Sequence, residues 1–357
     1  MNRFYILLAA LTLIGSSIYA QITTPYSASP QAEVTQTIGI STITVNYCRP
    51  AVHERVIWGE LVPYGYNKQA FGLGHEAPWR SGANENTTIT LSHPAAIGGK
   101  EVAAGTYGLF YVINEDNTGE VILSSDTKSW GSYYYDPDND VLRAEIKLEA
   151  IPHTERLTYD FVNIDRTSAT LVLDWEKKRF PVTIKFDVDE IVMENARQEL
   201  KGTVGFSWEG YQSAAQYALQ NGYSKLEEAL AWSNTALQLN PAFNTYNLNA
   251  QILEKLGKTE EANAAREQSL IVATEAQLNR YGYQLMNAGS NEEAIRIFTQ
   301  NTVNHPESAN AWDSLGEACY NAGKKEEAKK HFEKALSLNP EANVRENSEK
   351  HLKLIGG

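Results

Sequence analysis

The chain has 357 residues, 42% hydrophobic and 21% charged, and carries a net charge of -13. Its length supports two cores and its composition is that of an ordinary globular protein. So negative a field repels phosphate backbones and anionic membrane surfaces, so nucleic acid is not an expected partner.

The sequence opens on Met-Asn-Arg-Phe-Tyr, an apolar run from Ile6 to Ile14, and Gly15-Ser-Ser-Ile-Tyr-Ala20 before Gln21. A basic residue, a short apolar run and small residues in that order have the form of a secretory signal cut after Ala20. The run is shorter than the roughly 20 apolar residues a bilayer crossing takes, and no Cys follows it to carry a lipid. Residues 1–20 are expected to be removed, leaving a periplasmic or secreted protein with no insertion in the membrane. The two cysteines, Cys48 and Cys319, fall in different halves and predict buried free thiols rather than a disulfide.

From about Ile38 to Val188 short stretches rich in β-branched and aromatic residues alternate with turn signals. Strands are predicted over 41–47, 87–91, 106–113, 120–123, 141–148, 156–161, 169–175 and 180–188. Turns are expected at Ile97-Gly98-Gly99-Lys100, at 114–119 and at Asp136-Pro-Asp-Asn-Asp140. Eight or nine strands at hairpin spacing with no helical period between them predict an antiparallel β-sandwich, jelly-roll-like, over residues 21–188. A closed barrel is the alternative.

The irregular stretch from Arg49 to Glu85 is long enough to suggest a use. Arg49, Arg55, Arg80, Asn84 and Glu85, with Trp58, Trp79, Trp130 and the tyrosines 133–135, form a candidate ligand cleft. Guanidinium planes and indole faces suit anionic or sugar ligands, through paired hydrogen bonds and stacking. A plainer reading pairs Arg80 with Glu85 and uses the aromatics to plug the end of the sandwich.

Chemistry of higher specificity is missing from the motifs. There is no Gly-x-Ser-x-Gly elbow, no His-Glu-x-x-His pair and no phosphate loop. His53, His75-Glu76 and His93 match no metal-ligand spacing. Asp136, Asp138 and Asp140 alternate as calcium ligands do, but Gly is absent from the sixth position and Lys147 stands at the twelfth. No catalytic residue, cofactor or metal is expected.

Several linked motifs carry a resemblance. Tyr47-x-Arg49-Pro50, Trp58-Gly59-x-Leu-Val-Pro-Tyr-Gly65, Trp79-Arg80-x-Gly82-Ala83-Asn84-Glu85-x-Thr87-Thr88, Ala104-Gly-Thr-Tyr107 and Trp130-Gly131 are together similar to the bacterial secreted family known as domain of unknown function 2911, over roughly 30–188. The resemblance implies an exported β-rich domain and brings no known activity. In the shorter form of that family only a residue or so separates Pro63-Tyr64-Gly65 from Trp79-Arg80, whereas here Tyr66 to Pro78 intervene. The insert stands where it would line or cover any cleft the family shares.

After Val188 the period changes to 3.6. A linker helix is expected within 189–205, then four helix pairs over 206–342 and a capping helix over 343–357 with Leu352, Leu354 and Ile355 on one face. Gly222, Gly257, Gly289 and Gly323 mark the turns, 35, 32 and 34 residues apart. In the last pair Trp312, Leu315, Gly316, Ala328, Phe332, Ala335 and Pro340 stand at the spacings of the tetratricopeptide pattern, which it resembles except for Cys319 at the Tyr position. Stacked pairs of that kind present a groove lined by the first helix of each pair, where an extended peptide or a partner protein lies. Asn244, Asn247, Gln251, Asn279, Gln284, Asn310 and Asp313 are the candidate groove residues. The leading expectation is an exported, non-enzymatic scaffold that binds a protein or peptide through its repeats. The rival is an enzyme or sugar-binding module in the β half, recruited by the repeats. Homo-oligomers through the repeats are a third possibility.

Overall fold

The computed structural model describes residues 28–356, so the expected signal segment lies outside the described residues. The chain divides into two compact units, one ending at Val188 and one starting at Asp189.

Strands make up the first unit: β1 (Gln31–Ile38), β2 (Ser41–Cys48), β3 (Asn67–Lys68), β4 (Glu76–Ala77), β5 (Thr88–Leu91), β6 (Ala95–Ile97), β7 (Lys100–Val102), β8 (Gly105–Ile113), β9 (Thr118–Ser124), β10 (Asp140–Lys147), β11 (Glu149–Val162) and β12 (Ser168–Lys185). One antiparallel sheet runs β1-β2-β5-β8-β9-β10, a second runs β11-β12-β6-β7, and β3 and β4 form a ribbon. In β2 the period of two is plain: Ile43, Val45 and Tyr47 are buried while Asn46 is exposed. The buried rings of the two sheets meet, Tyr111 of β8 with Phe180 of β12 at 5.3 Å and Tyr47 of β2 with Tyr159 of β11 at 4.7 Å.

Strands β1, β6, β7 and β12 depart from the sequence expectation. The strand β1 was not foreseen, because Gln-Ala-Glu-Val-Thr-Gln-Thr reads as polar; it is an edge strand with one face in solvent, paired residue for residue to β2 from Ile38↔Ser41 outward. The short β6 and β7 flank the expected Gly98-Gly99 turn as a hairpin closed by Ile97↔Lys100. Residues 169–175 and 180–188, expected as two strands, belong to the single 18-residue β12, which ends at Lys185. The charged run Glu176-Lys177-Lys178 that suggests a turn is instead an irregularity within the strand: Glu176 takes a left-handed φ of 52° opposite Thr154, where the register with β11 shifts.

Strand β8 is buried on both faces from Gly108 to Ile113. Its outward Phe110 and Val112, with Ile122 of β9, are covered by Tyr66 and Ala77 of the insert and by Tyr135. Arg143 ties the cover down, donating to Asp140, to the Tyr135 hydroxyl at 2.8 Å and to the Tyr66 hydroxyl. The insert thus gives the sheet a second buried face that alternation cannot reveal.

The second unit holds ten α-helices among the described residues: α1 (Val188–Glu199), α2 (Trp208–Gln220), α3 (Leu226–Leu239), α4 (Phe243–Lys255), α5 (Thr259–Val272), α6 (Glu275–Asn287), α7 (Asn291–Asn304), α8 (Ala309–Asn321), α9 (Lys325–Ser337) and α10 (Ala342–Gly356). From α2 to α9 they pack as consecutive pairs. Each first helix ends on a left-handed glycine, with φ between +66° and +79° at 222, 257, 289 and 323. The residue after it donates back across the turn, as Lys258 N–H does to the Leu253 carbonyl and Lys324 N–H to the Cys319 carbonyl, both at 2.9 Å. A side chain would strain that conformation, so the repeating Gly is a stop signal written into the turn.

Between helices of a pair, a second glycine does the opposite job of making room. A Cβ at Gly282 would stand 2.6 Å from the ring of Phe298, and one at Gly316 would stand 2.8 Å from the ring of Phe332. Both rings are fully buried.

The expected linker is a packed helix. Met193 of α1 is fully buried among Ala215, Ala218, Tyr223 and Ala229 of the first pair. Arg197 grips both oxygens of Glu228 at 2.7 and 2.8 Å and also reaches Glu190, Glu194 and the Tyr223 hydroxyl. Arg197, Tyr223 and Lys225 hold the Glu190 carboxyl at about 2, against an ordinary 4.5. A carboxyl whose folded pKa is depressed stabilises the fold above its unfolded pKa and loses that contribution as pH falls through the folded one. The helical unit should therefore lose stability between pH 4.5 and about 2. In urea titrations at 222 nm, Glu190→Gln should flatten that decline; an unchanged slope would refute the coupling.

At the other end α10 caps the stack. Leu352 and Ile355 pack on the last pair, while Leu354, expected beside them, is 52% exposed. His351 lies flat on Phe332 at 5.0 Å. Both cysteines are free and buried.

Candidate functional site

A cleft of about 510 Å³ opens in the β unit. One wall is the turn that follows β2. Val52 N–H bonds the Glu155 carbonyl on β11 at 2.8 Å, and Arg55 folds back to donate to the Ala51 and Val52 carbonyls. The facing wall is the segment before β5. Trp79 and Tyr111 exchange both backbone hydrogen bonds at 2.9 Å, and the Ser81 hydroxyl donates to the Leu109 carbonyl at 2.7 Å, so the residue between them, Arg80, is held on both sides.

Arg80 is half-buried and its guanidinium is fixed in place. Its Nη1 donates to the Asn84 carbonyl at 2.7 Å, and the group lies 5.2 Å from the centre of the Tyr133 ring. It fills the space that a side chain at Gly131 would need. Beneath the cleft, Trp79 stacks on Trp175 at 5.8 Å with 14° between planes, and Trp58 stands edge-on to both at 5.9 Å. The indole N–H groups of Trp58 and Trp175 are buried without an acceptor among the described residues.

Of the candidate cleft residues, the structure brings together Arg55, Trp79, Arg80 and Asn84, with Trp58 packed behind the Trp79–Trp175 stack. It separates three others. Arg49 spends its guanidinium on β11, at the Leu157 carbonyl (3.0 Å) and the Thr158 hydroxyl (2.7 Å). Glu85 lies with Cys48 beside β1 and β2, its carboxylate 3.8 Å from the thiol, because the left-handed Ser81 and Asn84 turn the chain between Arg80 and Glu85. Trp130 is 49% exposed and is not a lining residue. The insert, expected to line or cover the cleft, lines it with Asn67 and Gln69, whereas sequence reasoning missed the part played by Gly131. The family-like Trp130-Gly131 pair was the one available signal for that part. Among the described residues no three His, Cys, Asp or Glu side chains gather as a metal site.

In the helical unit the candidate groove residues divide along the stack. Asn244 and Gln251 on α4 and Gln284 on α6 are exposed, Asn247 is half-exposed, and none of these four side-chain amides is bonded within the described residues. The spacing of 244, 247 and 251 puts them on one helix face. Asn279 on α6 has a buried side-chain oxygen with no donor among the described residues. Towards the end of the stack the polar groups are used internally. Asn310 donates to Glu275 at 2.7 Å, and Asp313 is buried under α10, accepting from Asn347 at 2.8 Å and from the Ser348 hydroxyl. Burial pushes the Asp313 carboxyl up. Asn310 and Asp313 are therefore structural groups, a distinction that rests on contacts across about 35 residues of chain.

Residues 29–184 match the family described as "Protein of unknown function (DUF2911)". The N-terminal unit is a domain of that family. Residues 309–342 match the tetratricopeptide repeat, so the chain joins a DUF2911 domain to tetratricopeptide repeats. No curated protein matches the chain. Among solved structures, MamA is 16% identical, covering 43% of this chain and 89% of its own with a TM-score of 0.26. YrrB, described as a TPR protein with an unusual peptide-binding site, is 18% identical, covering 45% and 84% with the same score. The structure of pilF from Pseudomonas aeruginosa is 22% identical, covering 43% and 70%, again at 0.26.

Proposed function

We propose that this protein is an exported scaffold whose tetratricopeptide unit holds an extended segment of a partner protein against α4 and α6. The supporting observation is the row of unspent amides at Asn244, Asn247 and Gln251 on one face of α4, with the exposed Gln284 on α6. An amide both donates and accepts, so it pairs with the backbone of a strand-like segment. The DUF2911 domain is carried with it to the periplasm or beyond, and the role of that domain is a separate matter.

The test is an affinity capture with the full chain, produced with its own N-terminus and recovered from the envelope fraction. The comparison is with a variant in which Asn244, Asn247, Gln251 and Gln284 are all Ala. The intact groove should retain an envelope protein that the variant releases, with affinity lower by roughly 1 kcal/mol for each amide that bonds the partner. Equal retention by the two proteins would remove the groove reading, and failure to reach the envelope would remove the export reading.

A further inference from the structure

We propose that the cleft of the DUF2911 domain is a binding site for a small carboxylate carried on a flat, weakly polar body, recognised chiefly by Arg80. The site lies in the other unit and is independent of the groove.

Charge is the first observation. The chain has 44 acidic residues against 31 basic ones, yet among the described residues no Asp or Glu lines the cleft, while Arg55 and Arg80 do. Neither arginine has an ion-pair partner among the described residues. Such a concentration of unneutralised cation in an acidic protein favours an anion in that place.

Donor geometry is the second. Among the described residues Arg80 commits only Nη1, to the Asn84 carbonyl, and its Nε–Nη2 edge meets no acceptor there. That edge is the fork that holds both oxygens of a carboxylate in parallel hydrogen bonds. Its position is set before any ligand arrives, by the backbone anchors at Trp79 and Ser81, by the Tyr133 ring and by the missing side chain at Gly131. Preorganisation of this kind lowers the entropy cost of binding. Arg55 spends Nε and Nη2 on its own turn and keeps Nη1.

The third observation concerns the body of the ligand. Leu61, Val62 and Pro63 make an apolar wall, and Trp79 and Trp175 a stacked floor. Trp175 is 1% exposed and its indole N–H has no acceptor among the described residues, a rare condition for a buried donor. The cleft volume is in the range of small-ligand sites.

Isothermal titration of the full chain at low ionic strength with benzoate, benzamide and inorganic phosphate tests the assignment. Benzoate should bind saturably, and benzamide, its uncharged match, at least roughly tenfold more weakly. Arg80→Gln should weaken benzoate roughly 10- to 100-fold, the worth of a charge-assisted pair. Arg80→Lys, which keeps the charge and loses the fork, should recover only part of that. Should Arg80→Gln misfold by near-ultraviolet circular dichroism, the benzoate–benzamide difference and Arg55→Gln decide instead, the latter also weakening benzoate. The proposal is overturned by equal binding of benzamide, by phosphate binding more tightly than benzoate, by benzoate binding unchanged in a folded Arg80→Gln, or by no saturable benzoate binding up to about 10 mM.

Discussion

Replacing Phe332 by Ala should cost the helical unit about 3–5 kcal/mol, the range for emptying a fully buried aromatic site. The ring is the contact between neighbours at the end of the stack. It lies against the backbone of α8 at Gly316, packs with Leu315 and Cys319, and carries His351 of α10 flat on its other face. The α8 backbone at Gly316 flanks the site and cannot move in as a side chain could, so collapse into the void is limited and the cavity term persists. In a stack where each repeat is held by its neighbours, the loss falls first on α8, α9 and the cap. Urea unfolding followed at 222 nm should show the helical transition moving to lower denaturant, with fraying of α10 detectable by hydrogen exchange. A loss below about 1 kcal/mol would mean that the pair closes over the gap and that Gly316 is not there to admit the ring.

Trp175→Ala should have a comparable effect on the DUF2911 domain, again about 3–5 kcal/mol. The indole stacks on Trp79, meets Trp58 edge-on and fills the space beneath the cleft. Its removal takes away both burial and the geometric terms of aromatic contact. The change should also erase much of the near-ultraviolet dichroism of the stack. Because Trp79 rests on Trp175 and precedes Arg80, benzoate affinity should fall with it. Retention of the near-ultraviolet signal and of stability would show that the cluster is not a cooperative part of the core.

Much of the helical half is legible in the sequence, and the reason is locality. The glycine that ends each first helix, the Gly282–Phe298 and Gly316–Phe332 contacts and the small residues between pairs all lie within one repeat. What repeats in the chain repeats in space. The β half is legible where one face of a strand is wet, as in β2, and fails where a distant segment changes what the strand sees. Strand β8 is buried on both faces because the insert folds over it, and β12 continues through a charged run because β11 accommodates the irregularity at Glu176.

The candidate sites divide on the same principle. Residue type alone marked Arg55, Trp79, Arg80 and Asn84 as interesting, but adjacency in sequence wrongly grouped Glu85 with them: the left-handed Ser81 and Asn84 turn the chain, and the carboxylate lies at another surface. Nothing in the sequence distinguished Asp313 and Asn310, spent on α10 and Glu275, from Asn244 and Gln251, which stay exposed.

By itself the sequence determined the split into a β half and a helical repeat, the turns that end the first helices, and the excess of negative charge. These follow from short-range periodicity, from glycine at left-handed positions and from counting. Only the tertiary structure decided that no acid among the described residues lines the cleft, that Gly131 makes room for Arg80, and which polar groups remain open to a partner. Each depends on segments that lie far apart in the chain, where burial and hydrogen-bond satisfaction are set by neighbours that spacing alone does not name.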